Sequence, residues 1–125
     1  MGAGTETRLG DAFARALGDK DFARVAELLH PDVDFMGMTP GRTWPATGRE
    51  QVVDEVLVQW FEPSDEITDV LQIQTGAVAD RERVGYRFAV ENPDGRFVVE
   101  QQAYYAERDG LIGWLRIMCS GFRPR

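Results

Sequence analysis

Cysteine and histidine are almost missing from this chain, with one of each, Cys119 and His30. A lone cysteine excludes an internal disulfide framework and suits a reducing compartment, so a cytoplasmic protein is expected. With no C-x-x-C or H-x-x-x-H spacing there is no zinc-type ligand set, and no metal is expected. The acidic run Asp65-Glu66-Ile67-Thr68-Asp69 reads more simply as a solvated segment than as an all-carboxylate site. Basic residues are outnumbered, 14 Lys and Arg against 21 Asp and Glu, for a net charge of -7. That charge repels phosphates and anionic lipid, which sets nucleic acid and membrane aside as partners. No apolar run nears the ~20 residues that span a bilayer. The opening MGAGTETRLGDAF has no basic stretch followed by an apolar one, so no secretory leader is expected. The G-x-G-x-x-G, Walker and G-x-S-x-G motifs are missing too, and no cofactor is expected.

What remains is one ordinary globular domain, residues 1–125, with 43% hydrophobic and 28% charged residues. Leu9, Phe13, Ala16 and Leu17 recur at helical spacing. Asp19 can cap a second helix with the stripe Phe22, Val25, Ala26, Leu28 and Leu29. His30-Pro31 ends it, because the residue before proline is pushed out of the helical region. A short strand is expected from Val33 to Met38. TPGRTWPATG, with two prolines and two glycines in ten residues, reads as a loop. Thr47-Gly48-Arg49-Glu50 fits a capping box opening a third helix, with Val52, Val53, Val56, Leu57, Trp60 and Phe61 facing a core. The period then changes to two over 67–79, 82–91, 97–107 and 111–121, with hairpin turns at Asn92-Pro93-Asp94-Gly95 and Glu107-Arg108-Asp109-Gly110. Helices followed by an antiparallel meander make an α+β domain.

That order, with LGDKDFARVAELLHPDVDF, TGREQVV and YYAERDGLIGWLRIMCSGF, resembles the nuclear transport factor 2-like superfamily. The group includes ketosteroid isomerases, limonene epoxide hydrolase and SnoaL-like polyketide cyclases, and the resemblance covers nearly the whole chain. It implies a cone-shaped, cystatin-like roll: three N-terminal helices packed on a curved antiparallel sheet, with a small hydrophobic ligand inside. The family's functional residues carry over poorly. The ketosteroid isomerase tyrosine of the first helix falls at Phe13, the base aspartate near Gly37 and the protonated aspartate at Gln102. The epoxide hydrolase R-x-D keeps Arg83 but meets Gly85, and its second aspartate falls at Ile117.

The stretch FVVEQQAYY, residues 97–105, has polar groups on both faces of a strand. The family comparison puts Glu100, Gln102 and Tyr104 on the concave face, beside Arg87, Leu115, Ile117 and Cys119. Val84, Tyr86, Phe88, Val90, Tyr105, Trp114 and Met118 then fall on the convex face, although patterning alone would bury that more apolar side. Both readings hold if helices cover one face and a second subunit the other, so a homodimer through the convex face is expected.

On this reading Glu100 is the general acid or base and Gln102 steadies an oxyanion. Tyr104, Arg87, Trp44, Phe35, Phe13, Trp60 and Ile117 bind the ligand. The plainer readings are a Glu100–Arg87 ion pair, a satisfied Gln102 amide, core packing by Trp60 and Phe61, and a small buried Cys119. Two functions follow. One is a SnoaL-like enzyme without cofactor, performing acid–base isomerisation, cyclisation or hydration of a small, largely apolar molecule. The other is a non-catalytic ligand-binding or protein-interaction module on the same fold.

Overall fold

The computed structural model describes the backbone of residues 2–125 and the side chains of residues 8–125. Helices α1 (Gly2–Gly18) and α2 (Phe22–Leu28) open the chain. The cap of α2 is Asp21 rather than Asp19. Its carboxylate accepts the Arg24 N–H at 3.0 Å, satisfying a donor that the first turn leaves bare. Strand β1 (Leu29–Thr39) follows at once, earlier than the expected Val33. His30 leaves the helix by entering the strand, where its Nδ1 accepts the Asp32 N–H at 3.0 Å.

The expected loop TPGRTWPATG instead holds a second strand, β2 (Arg42–Thr47), hairpinned onto β1 with Phe35 opposite Ala46 and Gly37 opposite Trp44. Pro45 is tolerated because β2 is the edge of the sheet, where a missing donor need not break a ladder. The expected capping box is also replaced. Gly48 takes the cap position with φ 87°, and the Thr47 N–H donates to Gln51 Oε1 at 2.7 Å. The third helix, α3, runs through Arg49–Gln51, a π-helical stretch Val52–Leu57, and Val58–Trp60. The residues facing the sheet recur every four positions, as Val52, Val56 and Trp60 and as Val53, Leu57 and Phe61. A 3.6-residue turn would rotate such series off the core; the wider π turn keeps them in line.

Four long strands complete the chain: β3 (Glu66–Val78), β4 (Arg81–Asn92), β5 (Gly95–Arg108) and β6 (Leu111–Cys119), with a short β7 (Arg123–Pro124). The sheet order is β2-β1-β6-β5-β4-β3, with β7 on β5. The meander is antiparallel as expected, but β1 joins β6 in parallel, so the sheet is mixed. At the β5–β6 turn Asp109 and Gly110 both take positive φ, 54° and 80°, the geometry of a two-residue hairpin loop.

The helices pack on the face of Val84, Tyr86, Phe88 and Val90 from β4, Val99, Gln101, Ala103 and Tyr105 from β5, and Leu115 and Ile117 from β6, all buried. Patterning by hydrophobicity therefore picked the core face, and the family comparison picked the wrong one. Tyr105 lies under α1, accepting the Gly10 N–H at 3.0 Å. A Cβ on Gly10 would stand 2.5 Å from that hydroxyl, so glycine lets the ring reach the helix backbone.

Candidate functional site

Strand register builds one polar row into the apolar interior. Tyr86 lies opposite Gln101, and Gln101 opposite Cys119, so three adjacent strands each contribute one group. The Tyr86 hydroxyl donates to Gln101 Oε1 at 2.6 Å. Gln101 Nε2 donates to Cys119 Sγ at 3.3 Å, which also receives the Gly121 N–H at 3.4 Å. Burial, and secondarily the neighbouring Cys119, push the Tyr86 phenol well above its usual pKa, so it stays protonated and donating.

The row ends at a cleft of about 180 Å³ between α3 and the end of β6, where Gln101 and Cys119 meet Thr39, Trp60, Phe61, Gly121 and Phe122. Three of the seven lining residues, Trp60, Phe61 and Phe122, are aromatic. Phe61 packs on Phe88 and Phe122 with centroids 6.2 Å apart in each pair. Trp60 meets Trp44 edge-on at 6.1 Å and Phe35 at 6.2 Å. Its indole fills the space above Gly37, where a Cβ would stand 2.5 Å from Cη2. The Trp60 Nε1–H is buried with no acceptor among the described residues. A larger hollow of about 700 Å³ opens at the start of α3 among Pro31, Thr47, Glu50, Asp54 and Glu55. Its open, polar lining offers an apolar ligand little to bury.

Neither a family model nor a curated relative matches the sequence. Solved structures do match. A candidate isomerase from Bacillus subtilis superposes with a TM-score of 0.76 at 13% identity, over 93% of this chain and 86% of that one. A candidate polyketide cyclase from Xanthomonas campestris pv. campestris gives 0.71 at 21% identity, over 91% and 89%. An LEH-like epoxide hydrolase from M. tuberculosis gives 0.68 at 20%, over 93% and 83%. The chain has the nuclear transport factor 2-like fold.

On this fold the expected site residues divide between two faces. Glu100, Gln102, Tyr104 and Arg87 lie on the outer face, away from the helices. Glu100 and Arg87 pair at 3.1 Å with side chains 43% and 46% exposed. Gln102 is held between Arg83 Nη1 at 3.0 Å and Glu100 Oε2 at 3.2 Å. Their expected concave placement is therefore corrected. A slip of one residue exchanges the faces of a strand, and matching Gln102 to a family position made that slip. The same error put Tyr86, Phe88 and Tyr105 outside, whereas each is at most 2% exposed. Gly85 also lies outside, under the Gln102 amide.

Phe13, Phe35 and Ile117 are inner-face core, and Phe13 packs on Tyr86 at 6.3 Å. Trp60 reaches the cleft, and Trp44 braces it, donating from Nε1 to Thr39 Oγ1 at 2.9 Å. Sequence reasoning missed Tyr86, Gln101, Cys119 and Phe122 as a group. The available signal was the alternation V-x-Y-x-F-x-V over 84–90, which names the buried face of β4 and, through pairing, that of β5.

Proposed function

We propose that this SnoaL-like domain binds a small, largely apolar molecule in the cleft between α3 and β6. The observation that carries this reading is a buried polar row, Tyr86–Gln101–Cys119, whose Gln101 and Cys119 border a largely apolar cleft. Apolar walls with a few convergent polar groups are the usual form of a ligand site. The geometry favours a binding role over acid–base chemistry, since the lining residues include neither carboxylate nor imidazole. Native mass spectrometry of the purified protein should detect a bound small molecule, which Cys119→Leu, by filling the cleft, should lose. Equal retention by that variant would count against the cleft.

Catalysis is the second reading. Likeness to proteins described as a cyclase, an isomerase and an epoxide hydrolase supports cofactor-free isomerisation, cyclisation or hydration. Tyr86 and Cys119, flanking Gln101, are the titratable groups on which such a reaction would rest. Glu100 and Gln102 could contribute only at the outer face.

That outer face is also where a homodimer is proposed. The Arg81 and Arg116 guanidinium groups each lie over the Trp114 ring, 4.4 Å from its centroid. Met38 and Met118 are 40% and 56% exposed. Tryptophan, methionine and arginine are the side chains enriched at protein interfaces. Sedimentation should give twice 14.1 kDa, with Trp114→Glu shifting it toward monomer; a monomeric wild type would end the proposal. No helix among the described residues is long and apolar enough to cross a membrane, and a cytoplasmic location is proposed from the lone cysteine.

A further inference from the structure

The sheet ends on two unlike edges. At one end, β2 is six residues long and carries Arg42 and Pro45, a charge and a missing donor that discourage a further strand. At the other, β3 runs for 13 residues without a proline. Its pairing with β4 slips between Ile67 and Asp69 and again between Val70 and Gln72, then stays regular from Gln72 to Val78. A strand in a regular antiparallel ladder turns the N–H and C=O of alternate residues away from its neighbour. No strand among the described residues takes that side of β3, and Gln72, Gln74, Thr75, Ala77 and Val78 are exposed. The edge is a ready template for one more strand.

Its composition favours pairing in the middle and restricts it at the ends. The stretch VLQIQTGAVA, residues 70–79, holds no charge. Leu71 and Val78 within it are two of the four large hydrophobic side chains exposed among the described residues, at 43% and 50%. Acid flanks the stretch on both sides. Glu66 and Asp69 are exposed before it, and after it comes Asp80, its side chain 85% exposed beside Arg81. The arginines one strand inward, Arg83 and Arg87, are engaged by Gln102 and Glu100 of β5. Two copies laid edge to edge, antiparallel about the middle of the stretch, would bring Asp69 of each toward Asp80 of the other, on chains of net charge -7. Like charges across a strand pair are unfavourable, and charged residues flanking an uncharged strand guard against such self-pairing. The same carboxylates attract a strand whose ends carry the opposite sign.

We infer that the β3 edge receives an extended segment of another protein, uncharged over about seven residues and basic at both ends, as a further strand of the sheet. Backbone hydrogen bonds to residues 72–78 hold it, and the flanking carboxylates select it over a second copy of this chain. The edge is separate from the cleft, so this inference stands whether or not the cleft binds a small molecule.

The test uses three synthetic peptides: RKTVTITVTKR, its acid-ended twin EDTVTITVTDE, and RKTVTPTVTKR, in which a central proline prevents strand pairing. Each is titrated into the ¹⁵N-labelled full chain while the backbone amides are followed. RKTVTITVTKR should shift the amides of residues 72–78 and slow their hydrogen exchange. The acid-ended twin should bind about tenfold weaker, as attraction at both ends turns to repulsion, and added salt should narrow that gap. The proline peptide should leave 72–78 unprotected. Asp69→Asn combined with Asp80→Asn, both at exposed positions, should bring the basic-ended and acid-ended peptides closer in affinity. Equal binding by the acid-ended twin would overturn the charge selection. Equal binding by the proline peptide would reduce the effect to charge attraction without a strand, and no change at 72–78 with any peptide would remove the site. Protection of 72–78 that appears in the free chain as its concentration rises would give the edge to a second copy and overturn the inference.

Discussion

Strand β5 carries polar groups on both faces, under opposite conditions. Inward, Val99, Gln101, Ala103 and Tyr105 are each at most 1% exposed. The polar members there meet specific partners: Gln101 between Tyr86 and Cys119, Tyr105 on the backbone of Gly10. Outward, Glu100, Gln102 and Tyr104 are half-buried, with Glu100 and Gln102 in a loose network with Arg83 and Arg87. Solvent can hold a row of polar groups at little cost, so such a row does not by itself mark a site. A single buried amide obliges the fold to supply its partners, and it is the more informative feature.

The largest contrast should come from truncating one side chain on each face. Phe88 is fully buried, stacked on Tyr86 at 5.1 Å and tilted against Phe61 at 6.2 Å. Phe88→Ala should lose about 3–5 kcal/mol of stability through transfer and cavity costs. Its neighbour Arg87 points outward, and Arg87→Ala should lose no more than about 1 kcal/mol. Urea titrations of both variants measure this. Equal losses would mean that the outer face is covered as firmly as the inner one.

The buried polar row gives the next effect. Gln101→Leu leaves the Tyr86 hydroxyl without its acceptor, at a cost of about 1–3 kcal/mol. Adding Tyr86→Phe removes the stranded group and should recover part of the loss, measured as a double-mutant cycle. The raised Tyr86 pKa adds a pH signature. The folded state holds the phenol proton more tightly than the unfolded state, so this contribution is complete below the ordinary value of 10.0. It is lost as pH rises through the folded value. Tyr86→Phe should lack that alkaline decline.

The same substitution on either face sharpens the comparison further. A Cβ on Gly37 would stand 2.5 Å from the Trp60 ring, which Trp44 and Phe35 hold in place. A Cβ on Gly85 would stand 2.6 Å from Gln102 Oε1, the end of a half-buried side chain that can swing away. Gly37→Ala should cost about 1–3 kcal/mol and change tryptophan emission. Gly85→Ala should cost about 1 kcal/mol or less, since the amide can yield.

These contrasts also mark where sequence reasoning ran out. Alternation along 84–90 and 97–105 named the meander, and the turns Asn92–Gly95 and Glu107–Gly110 gave its hairpins. Helical spacing found α3 up to Phe61. What the sequence hid depends on long-range pairing. The parallel β1–β6 contact has no local signal, and Pro45 disguised an edge strand as a loop. The face of β5 was legible from hydrophobicity alone, since β4 is unambiguous and adjacent strands share faces by register. Importing a functional position from a distant fold relative overrode that evidence by one residue. The Tyr86–Gln101–Cys119 row could not be seen until three strands were aligned.

The smallest effect is expected at Glu100, where the two faces make opposite claims. If Glu100 were a desolvated acid or base, Glu100→Gln would leave the fold intact and cut turnover of any substrate by ~10²–10⁴-fold. On the outer face, paired with Arg87 while both side chains stay more than 40% exposed, it holds an ordinary surface ion pair. Such a pair contributes about 0–1 kcal/mol, since water screens the attraction and ordering two long side chains offsets much of it. Glutamine keeps the shape and can still accept from Arg87, so Glu100→Gln should change stability by less than about 1 kcal/mol. Affinity for the small, largely apolar molecule of the cleft should stay unchanged. A loss of ligand affinity of tenfold or more, with the fold intact by circular dichroism, would couple the outer face to the site and break the separation drawn between them.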